Sequence, residues 1–518
     1  MAQIANLDWI RANSLMTSTI SPAASGTDFA FPSPNISRSK PKGDSQAVSQ
    51  ICVWALIAII TVLPLDFFPG LGIDQYYVKL LYIATAASFA TLPLLSRNSI
   101  SSRKILTIVA TAYLVRLVTL ALSLGWSSNP SLGATMLVLE VAALTLATPL
   151  FLILGRCDLD RFAHIVFWGT FGGALCFHLF LAFGHLSAGR ISIIVLFEAI
   201  ASGELRVIKL QYFVGGLRGL GVEGVSGLWG SISPKITNAF GNGLITPAIL
   251  AVHLAGADKA LNRTSSTARR LATWFIVLNT VLVILFAFSS RVQVYALLII
   301  MMHAFFYGFL GANRKVRFLL LYTAALGIGL AIIYMLYNLA ALGGLSTFIT
   351  NFINDPRFND LHETIYRVSS SGFFGDGFGT ALNLSDANNL FPHNLFLSDL
   401  LAGGIPGLLV SFIWCGALTY CAILGFGIMI NRNLPQAVRR LGLAGFTTVF
   451  YNVLLMQLTS RGALDLSSSV GLSMGLAAVA LAMRLAKQTG RGPRMAMPFT
   501  DQVKWRHSQA GNHGQHRV

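Results

Sequence analysis

Residues 391–430 read FPHNLFLSDLLAGGIPGLLVSFIWCGALTYCAILGFGIMI, a histidine-asparagine pair running straight into a long apolar stretch. From Leu395 to Ile430 the only charged residue is Asp399. A hydrocarbon layer of ~30 Å needs about 20 such residues as helix, so the stretch predicts a membrane span over 396–430 that begins at a polar boundary.

Outward from this stretch, the pattern repeats. Apolar runs near 51–67, 77–95, 105–125, 133–155, 163–187, 240–257, 272–290, 292–312, 316–341, 438–458 and 466–485 predict further spans, twelve with 396–430. Across the 518 residues, 54% are apolar and 11% charged, a balance suited to a helical bundle in lipid and not to one soluble core. The predicted fold class is therefore an all-α integral membrane protein of about 12 transmembrane helices.

Basic residues set the orientation, because short cytoplasmic loops collect Lys and Arg. With the N-terminus inside, most of the 37 Lys and Arg residues fall on the inner side, including Arg97, Arg103, Lys104, Lys259, Arg269, Arg270, Arg314, Lys315, Arg439, Arg440 and the tail after 487. Both termini are then cytoplasmic. The +17 net charge follows from this asymmetry. Scattered over loops without interleaved aromatics, it predicts contact with anionic membrane lipids and no nucleic-acid partner.

The expected organisation is a disordered cytoplasmic tail over 1–48, helices over 49–341 with an outside segment near 188–239, and a large outside loop over 342–394 between spans nine and ten. Helices over 395–486 and a basic tail over 487–518 complete it. The first 48 residues are rich in Ser, Pro and Thr and lack an apolar core, which predicts no cleavable signal; Met16 is an alternative initiator. The five cysteines form no CxxC and no grouping with histidine, so they predict neither a disulfide framework nor a metal site.

Several polar residues stand out against this background. Arg116 and Glu140 lie within spans three and four at similar depth, and buried charges need partners, so they are expected to pair. The pair is either architectural or the mark of a proton or ion route. Ser290-Arg291 opens a span, where a guanidinium either snorkels to the interface or meets phosphate. The outside segment combines apolar runs with Gly215-Gly216-Leu217-Arg218-Gly219, which suits interfacial helices and either a flexible re-entrant connection or close approach of backbone N–H groups to an anion. In the large loop, Arg367 precedes Gly375-Asp376-Gly377-Phe378-Gly379, which reads as a turn. His393 is either structural or a general base, with Asn394 orienting its neighbours.

His393-Asn394, nine residues, Gly404, two residues and Gly407 make an HNx9GxxG pattern directly after the large outside loop. With Ser290-Arg291, Arg367 ahead of the glycine turn, and twelve spans, the chain resembles the O-antigen ligase and polymerase superfamily over roughly residues 240–430. Two departures are visible. Leu408-Leu409 stands where ligases often have Thr-Thr, and Ala402 where a carboxylate is frequent, with Asp399 as the substitute on the same helical face.

The resemblance implies a glycosyltransferase of the bacterial inner membrane that needs no metal or cofactor and takes glycan from an undecaprenyl diphosphate carrier. His393 would be the base, Arg291 with Arg218 or Arg367 would bind diphosphate, and Ser290, Asn394, Asp399, Gly404 and Gly407 would support them. It implies inversion at the anomeric centre, and partners such as a flippase and a chain-length regulator. The missing Thr-Thr favours a polymerase; a ligase, a transporter or flippase, and a noncatalytic scaffold are the alternatives.

Overall fold

A computed structural model describes residues 43–62, 100–202, 207, 209–220, 246–254, 266–282, 299, 302–303, 305–306, 365–370, 372–380, 394–456 and 466–489. Of the two compact units into which the chain divides, Met1–Val48 contributes residues 43–48, which are helical, and Ser49–Val518 contributes everything else. The described residues are overwhelmingly helical and contain no strand. Most of the expected tails and of the large loop lie outside them, as do spans 77–95 and 316–341 and most of 292–312.

In chain order the helices are α1 (Gly43–Val62), α2 (Ile100–Ser123), α3 (Pro130–Arg156), α4 (Leu159–Ser187) and α5 (Ser192–Ala201). A π-helical turn (Lys209–Val214) leads into α6 (Gly215–Gly219), followed by α7 (Thr246–Leu254) and α8 (Ser266–Leu282). The last three are α9 (Leu395–Ile430), α10 (Gln436–Met456) and α11 (Leu466–Gln488). Among the described residues four stretches, Arg103–Trp126, Leu159–Ser187, Leu395–Ile430 and Ser469–Gln488, are long and apolar enough to cross a membrane.

Local chemistry explains the ends. Pro130 opens α3, where its missing N–H costs nothing, and Asn129 caps it by accepting from the Leu132 N–H. At the other end Arg484 of α11 reaches across to the carbonyls of Arg156 and Cys157, supplying donors to groups that a helix terminus leaves without partners.

Helices α9, α10 and α11 pack in sequence, with α2 against α9 and α3 against α11. Small residues sit at the closest crossings: Gly425 against Gly442 between α9 and α10, and Gly445 and Gly475 between α10 and α11. In lipid no hydrophobic gradient drives helices together, so such close backbone approach supplies van der Waals contact instead. A second group is built on α4, with α6, α7 and α8 packed along it.

Candidate functional site: a broken helix locked by a loop and an arginine

The stretch predicted as one continuous span over 396–430 is not continuous. Helix α9 is 36 residues long but breaks at Gly404, which has φ 62° and ψ −146°. A side chain is strained there, and a Cβ at Gly404 would collide with the Phe373 carbonyl. Gly407 likewise has no room for a Cβ, because the Asp399 carbonyl lies against it. Two glycines of the HNx9GxxG pattern thus permit the chain to bend tightly on itself.

The break strands backbone groups that a membrane interior cannot leave unpaired. Pro406 has no N–H for the Ala402 carbonyl, and the Ile405 N–H is diverted to the Phe373 carbonyl at 3.0 Å. The glycine-rich loop repairs both losses. The Asp376 N–H donates to the Leu401 carbonyl at 2.9 Å and the Gly377 N–H to the Ala402 carbonyl at 3.0 Å. Positive φ at Gly375 (69°) and Gly377 (86°) turns these N–H groups toward the helix.

The other side of the loop is pinned to the connection between α2 and α3. The Phe378 N–H donates to Ser123 Oγ at 3.1 Å and the Thr380 N–H to Ser127 Oγ at 2.8 Å, while Thr380 Oγ1 accepts from the Ser128 N–H at 2.6 Å. Residues 372–380 are therefore a wedge between the α2–α3 turn and the broken helix.

Beneath the wedge lies a buried charge cluster. Arg116 Nη1 donates to Glu140 Oε2 at 3.0 Å, so the two residues placed at equal depth by sequence do meet. Glu140 is not the principal partner, however. Arg116 makes a two-pronged contact with Asp399, Nε to Oδ2 at 2.6 Å and Nη2 to Oδ1 at 3.0 Å, the geometry in which a guanidinium binds a carboxylate most strongly. Arg116, Glu140 and Asp399 are 1%, 3% and 1% exposed.

Neighbouring hydroxyls complete the cluster. Ser411 donates to Asp399 Oδ2 at 2.5 Å, and Tyr113 donates to Glu140 Oε2 at 3.0 Å while its ring packs 4.9 Å from that of Trp414. Asp399 belongs to the first half of α9 and Ser411 to the second. The carboxylate therefore ties the two halves to each other and, through Arg116, to α2.

At the head of α9, Asn394 caps the helix, its Oδ1 accepting from the Phe396 N–H at 2.8 Å. Immediately before this cap comes His393, which lies outside the described residues, as do Ser290 and Arg291. Arg367 is half-buried in the helical stretch 365–370, five residues before the wedge begins.

Arg218 sits elsewhere, exposed on α6, which crosses α4 so closely that Gly184 lies against Gly216 and Gly219. Asn394, Asp399, Gly404, Gly407, Arg116 and Glu140 thus converge on α9, whereas Arg218 belongs to the α4 group. Among the described residues no three His, Cys, Asp or Glu side chains are grouped to hold a metal ion.

The α4 group holds a polar cluster that the sequence reading missed. His178 bridges Tyr212 Oη (Nδ1, 2.8 Å) and Asn279 Oδ1 (Nε2, 2.9 Å), joining α4, the π-helical turn and α8. His185 Nε2 donates to the Tyr212 carbonyl at 2.9 Å, and its ring stacks on that of Tyr212. Burial raises the Tyr212 hydroxyl above the ordinary tyrosine range against an opposing hydrogen bond with Ser192, so it stays a neutral donor. Two histidines seven residues apart in one apolar run were the available signal.

No family model matches this sequence, and no curated protein matches it.

Proposed function

We propose that this chain is a polysaccharide polymerase, a membrane glycosyltransferase that moves glycan from an undecaprenyl diphosphate donor onto a lipid-linked acceptor repeat at the outer face of the inner membrane. The observation that carries the reading is the coincidence of the HNx9GxxG stretch with a broken, rigidly locked helix. A general base needs fixed placement, and the described part of the pattern, Asn394 with Gly404 and Gly407, lies on a helix held at three points: the cap, the wedge and Arg116.

In this reading His393 takes the proton of the acceptor hydroxyl as that oxygen attacks the anomeric carbon. The bond to the diphosphate oxygen breaks, and Arg291 with Arg367 or Arg218 neutralises the charge left on the diphosphate. Attack opposite the leaving group inverts the anomeric centre. A polyprenyl tail stays in lipid while its diphosphate reaches water, which suits cations at span ends.

The test is the glycan profile of a deletion strain complemented with wild type, His393→Ala or Arg291→Ala at matched membrane levels. A polymerase predicts loss of long polymer with single repeats retained; loss of all glycan-bearing acceptor with lipid-linked polymer accumulating would point to a ligase. A transporter or flippase is the second reading, and one observation favours it: a discontinuous helix beside buried charge is how transporters build substrate sites. Substrate movement that survives His393→Ala would select it.

A further inference from the structure

Helix α5 presents its apolar side outward. At ~100° per residue, Ile193, Ile194, Phe197 and Ile200 share an arc about 120° wide, and each is exposed, Phe197 to 66%. Glu198 marks one edge of that arc. The opposite side, with Val195 and Ala199, is buried and faces the π-helical turn. A helix lying on a water-facing surface has the reverse arrangement, polar outward and apolar inward.

This arc is continuous with a lipid-facing surface. On α4, Leu175, Leu179, Phe183 and Leu186 are exposed at nearly one-turn spacing along a helix long enough to cross a membrane. The stripe runs to the C-terminal end of α4, and Ile191, also exposed, carries it into α5. The connection is a tight turn, with the Arg190 N–H donating to the His185 carbonyl at 2.8 Å and the Ala188 N–H to the Gly184 carbonyl at 3.2 Å. Helix α5 thus begins where the span ends, and its 10 residues, about 15 Å, cannot cross a bilayer.

We propose that α5 is a monotopic anchor, lying in the membrane interface at the C-terminal end of α4 with its outward arc among the acyl chains of that leaflet. The anchor governs more than its own position. Its buried side holds the π-helical turn, which His178 and His185 bind to α4, and α6 follows directly. Arg218, exposed on α6 at the level of Gly184, is thereby held near the same end of α4, where its long side chain can extend toward the lipid headgroups.

The test uses the full chain in nanodiscs of phosphatidylethanolamine and phosphatidylglycerol. A small fluorescent amino acid is introduced by codon suppression at Phe197, at Ile193, or at the exposed Gln211 of the π-helical turn, and each variant is checked for a monodisperse elution profile. Acyl chains brominated near the glycerol end should quench the label at 197 and at 193 at least threefold more than the label at 211. Water-like emission at 197 and 193 without quenching would overturn the anchor. So would blue-shifted, unquenched emission with crosslinking between copies, which would assign the face to a second copy of this chain.

Discussion

Asp399 is the residue whose replacement tests the site most sharply. It is 1% exposed and accepts three charge-assisted bonds, two from Arg116 at 2.6 and 3.0 Å and one from Ser411 at 2.5 Å. Removing one partner of a buried ion pair costs about 3–5 kcal/mol when the survivor is left without a counter-charge. In Asp399→Ala, Arg116 loses its two-pronged contact but keeps Glu140, so the expected cost is about 3 kcal/mol, the lower end of that range. Asp399→Asn keeps the shape and one acceptor but turns an amide N–H₂ on the guanidinium, for a loss of about 1.5–3 kcal/mol. Glu140→Gln should cost less, because Glu140 takes only one bond from Arg116 and one from Tyr113.

Arg116→Ala should be worst of all, since it leaves two carboxylates facing each other in a buried site. The assay is the SDS-unfolding midpoint of purified protein in mixed micelles, with helicity as the signal. An order Arg116→Ala, Asp399→Ala, Asp399→Asn, Glu140→Gln from largest to smallest loss is predicted. If Glu140→Gln cost more than Asp399→Ala, or Arg116→Ala lay within about 1 kcal/mol of wild type, the clamp would not hold the broken helix. Because Arg116 has two carboxylate partners, neutralising Arg116 and Glu140 together relieves one stranded carboxylate but leaves Asp399 without a counter-charge, so that double variant should recover only part of the stability lost by Arg116→Ala.

Three further outcomes are expected. Gly404→Ala places a Cβ against the Phe373 carbonyl at φ 62° and should release the wedge, seen as new protease cleavage within 372–380. Ser123→Ala removes the acceptor of the Phe378 N–H and should cost about 1–3 kcal/mol with the same cleavage in milder form. Tyr212→Phe tests the α4 cluster through pH. Burial lifts the Tyr212 hydroxyl above the ordinary tyrosine range, so the folded protein keeps a proton that the unfolded chain loses, and wild type should lose stability as pH rises past about 10. The variant should show a shallower decline in a thermal-shift series; an identical decline would contradict the assignment.

Among the described residues the apolar runs announced most helices. The run read as 163–187 is helix Leu159–Ser187, and the one read as 466–485 is Leu466–Gln488, because run length and hydropathy are local properties. Depth counting brought Arg116 to Glu140 for the same reason: two neighbouring helices with a short connection keep register. It missed Asp399, 283 positions away, since nothing local says which helix lies beside α2.

The break at Gly404 left a signal, in that 36 residues exceed one span and Gly403-Gly404 precedes Pro406. Its repair by the loop 372–380 left none, for those bonds run between backbone groups that every residue carries. Of the His178–Tyr212–Asn279 bridge the sequence showed only the two histidines seven residues apart on α4, because it joins three segments whose partners are chosen by packing.

The glycosyltransferase assignment meets its most direct test in purified protein reconstituted with undecaprenyl diphosphate-linked repeat units and no other protein. Wild type should convert them into lipid-linked oligomers of two or more repeats with release of undecaprenyl diphosphate, and His393→Ala of equal stability should not. Oligomers formed equally well by His393→Ala, or single repeats left untouched by a wild-type protein that instead moves them across the bilayer, would contradict it.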